Sequence, residues 1–223
     1  MLLAIDTATR LVSLALYDEN GIVAEESWRS ANNHSSETMP AIAEMLARQQ
    51  ATPEALTGVA IAKGPGSFTG LRIGMSIAKG LCLGLDIPLI AIPSLEITAY
   101  AAGDPGGPLY AVLEAGRGRI CVARYVYAEG LPVLDGTTEL WETDAWLPPT
   151  EEQVLVAGEV SAALADRLLD SPQAEQIALT SLAGSVRRAG YLAELAWERL
   201  QAGQTDDLDT TQPDYIQFAR QST

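Results

Sequence analysis

The feature that most restricts the fold of this chain is a glycine-rich loop at residues 63–74, KGPGSFTGLRIG. It follows the apolar run at residues 58–62, which is short and bounded by glycine, as is typical of a buried strand. Gly64 and Gly66 flank a proline, so the backbone is free to take positive φ on either side of a residue whose φ is fixed. The sequence therefore predicts a strand, a tight loop and a helix in direct succession.

The beginning of that helix favours an anion. Ser67 or Thr69 can cap a helix that begins near Gly70, and the N–H groups of the first turn then point towards the loop, where a phosphate binds well. However, the loop lacks the lysine of the P-loop, and its third glycine is out of register with the dinucleotide-binding fingerprint. A tight connection that needs glycine only for its shape is the alternative.

The charge of the chain restricts its partners. The 29 acidic and 14 basic residues give a formal net charge of −15, while 48% apolar residues are ample for a core. Binding to a nucleic acid depends on Lys and Arg side chains that displace counterions from phosphates. We therefore expect no direct contact with a nucleic acid, and any role in a nucleic acid process to require a partner with a basic surface.

The cysteines and the N-terminus indicate a compartment. Cys82 and Cys121 are far apart and lie in apolar surroundings, so we expect reduced core residues. The apolar N-terminal residues meet Asp6 too early for a signal peptide, and no apolar run reaches the length of about 18 residues needed to span a membrane. The expected location is cytoplasmic, without a membrane.

The order of the predicted elements indicates the fold class. Residues 1–103 spell βββαβαβα, a three-strand meander followed by alternating helices and strands, which predicts a mixed sheet with helices packed on it. This unit resembles the domain of the actin, sugar kinase and Hsp70 superfamily. Residues 104–108, DPGGP, predict a domain junction. Residues 104–223 look like a shorter copy with an acidic tail and a long helix at 181–201, so we expect an α/β protein with two actin-like domains.

A polar tetrad, Asp6-Thr7-Ala8-Thr9, follows the first predicted strand. In the superfamily that the first half resembles, the loop at this place holds a phosphate and its magnesium ion. The candidates for facing a nucleotide are therefore Asp6, Thr7, Gly64, Gly66, Ser67 and Thr69. A simple turn is the alternative, since Asp and Thr are favoured turn residues.

The single histidine, His34, limits metal chemistry. A zinc protease of the H-E-x-x-H kind needs two histidines on one helical face, so this peptidase class is excluded. We expect His34 to be solvated or to cap the helix that follows it.

Two predicted helices carry the pattern of a packing surface. In the helix at residues 70–85, Gly70, Gly74 and Ala78 form a smooth strip, and each interior glycine costs about 0.5–1 kcal/mol relative to alanine. A close contact must offset that cost, and we favour a helix of a partner chain over internal packing. The helix at residues 37–48 adds a second apolar stripe. The predicted partner-binding residues are Met39, Ile42, Met45, Leu46, Gly70, Gly74, Ile77, Ala78 and Leu81.

With DTAT at residues 6–9 and GPGSFTGLRIG at 64–74, the chain closely resembles the TsaB family, also called YeaZ. The resemblance covers at least residues 1–100 and is weaker afterwards. The segment EAGR at 114–117 stands where the family usually has Asp-Ala-Arg. After the Pro-x-Tyr segment at 213–215, Gln217 occupies a position at which the family commonly has arginine.

The resemblance implies a non-catalytic scaffold and dimerisation subunit of the bacterial machinery that adds threonylcarbamoyl to the tRNA adenosine on the 3′ side of the anticodon. Its implied partners are the catalytic homologue TsaD and the ATPase TsaE, with a homodimer when the chain is alone and no direct binding to tRNA. Ser94 and Thr98 occupy the positions at which TsaD has its two metal-binding histidines. The resemblance therefore implies that this chain has neither a metal nor a cofactor of its own. A nucleotide at the interface with TsaD is implied as well.

The alternative function is that of an enzyme. A small-molecule kinase or ATPase of the actin-like superfamily would use Asp6 and the glycine loop to hold ATP.

Overall fold

The computed structural model describes residues 1–31, 33–149 and 152–216. The chain forms two compact units, of which the first contains residues 1–94 and 188–214. The second contains residues 95–187 together with the segment that begins at Tyr215.

The first unit is built on a five-stranded mixed sheet. Its strands are β1 Leu2–Asp6, β2 Leu11–Asp18, β3 Gly21–Arg29, β4 Gly58–Gly64 and β5 Leu89–Pro93. They lie in the order β3-β2-β1-β4-β5, with β2 antiparallel to both of its neighbours and β4 parallel to β1 and β5. Strands β1 and β4 are buried along nearly their whole length, which explains their unbroken apolar sequences.

The helices of the chain are α1 His34–Arg48, α2 Phe68–Leu85, α3 Ser94–Ala102, α4 Ala162–Leu169 and α5 Ala189–Gln201. In the first unit, α1 and α2 share one hydrophobic core with the sheet, to which Leu46 and Met75 contribute together with Leu3 and Val59 of the strands. Helix α5 contacts every strand of the same sheet, and Leu192 and its neighbours on that helix are buried.

The second unit contains a six-stranded mixed sheet. Its strands are β6 Leu109–Gly116, β7 Arg119–Ala128, β8 Leu131–Leu134, β9 Glu139–Glu142, β10 Val154–Gly158 and β11 Ile177–Leu179. The order β8-β7-β6-β10-β11, with β9 also paired to β7, repeats the arrangement of the first sheet. Helix α4 has 8 residues where α2 has 18, so the prediction of an α/β protein whose second sheet unit is a shortened copy is confirmed.

The division of the chain differs from the predicted boundary between residues 103 and 104. After its first residue, α3 belongs to the second unit, because Leu95 and Ala99 lie in one core with Leu109. Residues 188–214 return to the first unit. The apolar pattern of a helix predicts that it packs, but it does not specify the sheet against which it packs.

The long helix predicted at residues 181–201 is shorter in the structure. It begins at Ala189, because Arg188 has an extended backbone (φ −81°, ψ 145°). The first N–H groups of α5 are taken by side chains of the first sheet: that of Ala189 donates to Ser13 Oγ at 2.7 Å, and that of Gly190 to Glu25 Oε1 at 2.7 Å. These long-range caps satisfy donors that a helix leaves free at its N-terminus.

Helix α2 is the one described helix whose length and apolar composition would allow it to cross a membrane. Its inner face is nevertheless buried within the first unit, where Leu71, Met75 and Cys82 lie against the sheet or its loops. This pattern is typical of a helix that packs one face against a sheet.

Candidate functional site

The glycine loop closes against the loop that follows β1. The N–H of Ser67 donates to the carbonyl oxygen of Ala8 at 2.6 Å. A Cβ at Gly66 would lie only 2.3 Å from the same oxygen, a distance that no side chain tolerates. Gly66 therefore serves a close contact within the chain, and that it also faces a nucleotide stays a prediction.

The strip of small residues on α2 packs against Thr7. The hydroxyl of Thr7 donates to the carbonyl oxygen of Gly70 at 2.8 Å. A Cβ would lie 2.2 Å from the Thr7 carbonyl oxygen at Gly70 and 2.2 Å from Thr7 Oγ1 at Gly74, while Ala78 is buried in the core of the first unit. The three residues were predicted to bind a partner, but this side of the helix is covered by the chain itself.

The remaining candidates around the first loop divide into buried and exposed residues. Asp6 is 1% exposed, and its Oδ1 accepts from the Ala8 N–H at 2.9 Å. Ser67 and Thr69 are exposed. The prediction of a serine cap is confirmed, since Ser67 Oγ accepts from the Gly70 N–H at 3.3 Å. Asp6 thus braces the loop after β1, and Thr7 joins that loop to the first turn of α2.

The C-terminal segment of the first unit occupies the space beside Gly64. This glycine has φ +120°, and a Cβ there would lie 2.5 Å from the carbonyl oxygen of Asp214. The Asp214 N–H donates to the Lys63 carbonyl oxygen at 2.7 Å, and Lys63 Nζ lies 3.2 Å from Asp214 Oδ2. Gly64 is therefore also covered from within the chain, and Gln217 of the same segment lies outside the described residues.

The same segment is also fixed to the edge strand β5. The carboxylate of Asp206 accepts from the Ala91 N–H at 2.9 Å and from Arg199 at 3.0 Å. The N–H of Asp206 donates to the Leu89 carbonyl oxygen at 2.8 Å. Sequence reasoning missed this element, because the tail shows neither apolar periodicity nor a motif that would predict its docking.

Most of the predicted stripe on α1 lies in the core. Ile42, Met45 and Leu46 are buried against the sheet of the first unit, which corrects their assignment to a partner interface. Ile77 and Leu81 on α2 are half-buried and pack against the same core. Met39, which is 42% exposed, retains the surface position that binding to a partner requires.

The outer face of α2 was not among the predicted residues. Phe68 is 55% and Leu83 is 70% exposed, and the Arg72 guanidinium carbon lies 3.7 Å from the centre of the Phe68 ring. A Cβ at Gly80 or at Gly84 would have no atom from another part of the described chain within 4 Å. The signal in the sequence was a second set of small residues, Gly80 and Gly84, which lies about 100° around the helix from the first set.

His34 is buried, which contradicts the prediction that it is solvated or caps a helix. It is the first residue of α1, and its Nε2 lies 2.8 Å from the Thr9 carbonyl oxygen. The Thr38 hydroxyl donates to the His34 carbonyl oxygen at 2.7 Å. The histidine thus fixes the beginning of α1 to the loop after β1.

The groups that metal or thiol chemistry would use are buried. Ser94 and Thr98 are both buried, and a Cβ at Gly158 would lie 2.8 Å from Thr98 Cγ2. Burial raises the pKa of the Cys82 and Cys121 thiols to about 11, so both are protonated at neutral pH. Both are free, as predicted. In the part of the chain that the structure describes, no group of three or more His, Cys, Asp or Glu side chains is placed to hold a metal ion.

Comparison with known proteins decides the family. The family model of TsaD, described as tRNA N6-adenosine threonylcarbamoyltransferase, matches residues 15–133. The tRNA threonylcarbamoyladenosine biosynthesis protein TsaB of Bacillus subtilis (strain 168) is 32% identical over 221 residues, which cover 98% of this chain and 94% of the relative. The chain belongs to the TsaB family.

Two further comparisons extend this result. The TsaB protein of Escherichia coli (strain K12) is 33% identical over 150 residues, which cover 66% of this chain and 62% of the relative. The solved structure of YeaZ from Pseudomonas aeruginosa has the same fold, with a TM-score of 0.81 at 23% identity over 96% of this chain and 99% of that one. The resemblance to the TsaB family predicted from the tetrad and the glycine loop is confirmed, and it extends well beyond residue 100.

Proposed function

We propose that this TsaB-family chain is a non-catalytic scaffold subunit in the threonylcarbamoylation of the tRNA adenosine on the 3′ side of the anticodon, where it binds and supports TsaD. Its relatives from Bacillus subtilis and Escherichia coli carry the name tRNA threonylcarbamoyladenosine biosynthesis protein. The match of residues 15–133 to the TsaD family supports a pair of homologous subunits that pack together.

The observation that carries the proposal is the interlocking of the two loops in which an enzyme would hold phosphate. A nucleotide-binding loop presents its N–H groups to the ligand. Here the Ser67 N–H and the Thr7 hydroxyl donate to carbonyl oxygens of the chain, and Asp6 accepts from the Ala8 N–H. Groups committed to internal contacts favour a scaffold over a small-molecule kinase or ATPase.

The charge of the chain supports the absence of direct tRNA binding. A net charge of −15 repels a polyanion, since affinity for nucleic acid comes mainly from Lys and Arg contacts with phosphates. The basic surface that holds the tRNA would then belong to TsaD. A cytoplasmic location follows from this role.

The outer faces of α1 and α2 are the surface proposed for TsaD. Met39, Phe68 and Leu83 are large apolar residues exposed there. Gly80 costs the interior of the helix about 0.5–1 kcal/mol relative to alanine, and no contact at its Cβ position within the described chain offsets this cost. Close approach by a partner helix would offset it.

A second copy of the chain, TsaE and a nucleotide are the other members of the proposed assembly. A second copy of the chain covers the same surface when TsaD is absent, and TsaE joins the complex with TsaD. A nucleotide in this assembly lies at the interface with TsaD, because the loops of this chain alone are filled from within.

Size-exclusion chromatography with light scattering, using TsaD from the same organism, tests the surface. Leu83→Asp places a charge on the outer face of α2 and should abolish co-elution with TsaD. Leu182→Asp is the matched control, since Leu182 is 87% exposed in the second unit, and it should leave the complex intact. An undiminished complex with a Leu83→Asp and Phe68→Asp double variant would show that another surface binds TsaD.

ATP turnover by the purified chain tests the alternative. We expect neither hydrolysis nor calorimetric binding of ATP by the chain alone. Turnover that disappears in Asp6→Asn, while a circular dichroism spectrum remains unchanged, would favour the kinase or ATPase instead.

A further inference from the structure

An open groove of about 710 Å³ lies within the second unit. One wall is formed by α4 and the residues that follow it, including Arg167 and Asp170, and another by the end of β9 and the turn after it, including Glu142 and Asp144. Its volume is in the range of about 300–1,000 Å³ that is usual for small-molecule sites.

The guanidinium group of Arg167 is held in position. Its Nε donates to the Trp146 carbonyl oxygen at 3.2 Å. Trp146 is buried, and its ring meets the Tyr110 ring edge-on, with the ring centres 5.8 Å apart. Because Nε is bound to the backbone of a buried residue, the two terminal nitrogens of Arg167 are left to bind a carboxylate through two parallel hydrogen bonds.

Opposite charges line this groove without pairing. Among the described residues, no carboxylate oxygen lies within 4.0 Å of an Arg167 nitrogen, although three acidic side chains line the same groove. Glu142, Asp144 and Asp170 are exposed, and none of them makes an ion pair or accepts a side-chain hydrogen bond within the described chain. A ligand that carries both charges would bridge them.

We propose that this groove binds a basic amino acid, either free or as the C-terminal residue of a peptide. The α-carboxylate pairs with Arg167, and the positive charges of the ligand are held by Glu142, Asp144 and Asp170. Leu147 and Pro172 provide apolar contact for the methylene groups of the ligand. Three acidic groups against one basic group leave an excess of negative charge, which disfavours phosphate and nucleotides.

The charge balance also distinguishes between amino acids. A neutral zwitterion would leave most of the acidic groups without a partner, whereas arginine or lysine adds a second positive charge. Acidic amino acids add a charge of the wrong sign. We therefore expect arginine and lysine to bind more tightly than alanine, and glutamate not to bind.

Isothermal titration of the full-length chain with L-arginine tests the site. We expect saturable binding that weakens at least about 10-fold with L-argininamide, which lacks the carboxylate, because a charge-assisted hydrogen-bond pair is lost. Arg167→Met should weaken L-arginine binding to a similar degree, and Asp170→Asn should weaken it several-fold. Asp166→Asn is the control on the same helix, and it should have no effect, since Asp166 is exposed and does not line the groove.

Comparing free arginine with a peptide that ends in arginine identifies the source of the ligand. Tighter binding of the dipeptide Gly-Arg than of free arginine assigns the groove to peptide C-termini, and the reverse assigns it to the free amino acid. The proposal is overturned if neither L-arginine nor Gly-Arg binds saturably, or if L-arginine and L-argininamide bind equally well to the unaltered protein. Displacement of arginine by inorganic phosphate overturns it as well.

Discussion

Two glycines of α2 make the packing between this helix and the loop after β1 measurable. Gly70 lies in the first turn of α2 and Gly80 in its interior; a Cβ at Gly70 would lie 2.2 Å from the Thr7 carbonyl oxygen, whereas one at Gly80 would have no atom from another part of the described chain within 4 Å. Substituting alanine favours the helix at both positions, in full at Gly80 and at most to the same extent at Gly70 in the first turn. The difference between the two variants therefore reports the internal contact.

The expected magnitudes follow from these distances. Gly80→Ala should gain about 0.8–1.0 kcal/mol of stability from helix propensity. In a chain of this size that gain raises Tm by about 2–4 °C. Gly70→Ala gains at most the same propensity term, but it forces the Thr7 backbone away, at a cost of about 1–3 kcal/mol, and weakens the Thr7 hydrogen bond, worth about 0.5–1.5 kcal/mol. The net expectation is a loss of about 1–3 kcal/mol.

Urea unfolding followed by circular dichroism measures both variants. A Gly70→Ala protein as stable as the parent would refute the conclusion that the glycine strip is filled by Thr7. A Gly80→Ala protein that is destabilised would indicate that the outer face of α2 is already covered in the purified protein. Repeating the measurement over a range of protein concentrations identifies a second copy as that cover, because the stability of a dimer rises with concentration.

Three further predictions concern the tail and the thiols. Gly64→Ala should speed amide hydrogen exchange across residues 206–214, because its Cβ would displace the Asp214 carbonyl; unchanged exchange would contradict this docking. Asp206→Asn should lower the free energy of unfolding by about 1–3 kcal/mol, since two hydrogen bonds to the carboxylate are weakened, and calorimetry measures it. Burial raises the pKa of the Cys82 and Cys121 thiols to about 11. The stability that the two neutral thiols contribute to the folded state is therefore fully present below the ordinary thiol pKa of about 8.5, and it is lost as the pH rises through 11. Unfolding curves measured at increasing pH should therefore show a fall in the free energy of unfolding, and this fall should be smaller in a Cys82→Ala, Cys121→Ala variant.

The elements that depend on local pattern could be predicted from the sequence. The strand at residues 58–62 and the meander before it are apolar and bounded by turn residues, and both are present. The assignment of α3 and α5 to their units could not be predicted, because it rests on contacts between residues far apart in the chain. The contact of Ser13 with Ala189, for example, spans 176 positions.

The candidate site shows the same division. Spacing correctly predicted that something approaches Gly70 and Gly74 closely, because only a tight contact offsets the cost of glycine in a helix. It did not identify Thr7 as that contact. His34 was misplaced for a related reason, since the carbonyl oxygen of Thr9 with which it interacts belongs to the backbone and leaves no trace in the residue types.

The composition of α2 becomes intelligible once its two faces are separated. A helix that is apolar all round is usually buried all round, and α2 is apolar enough to resemble a membrane span. Its inner face packs against the first unit, which accounts for Gly70 and Gly74 but not for Gly80, or for the 70% exposure of Leu83. An outer face with small residues and large apolar ones is what a second helix needs for close packing. Variants that probe a partner therefore belong on that face, since a large side chain at Gly74 would disrupt the fold before it reached any partner.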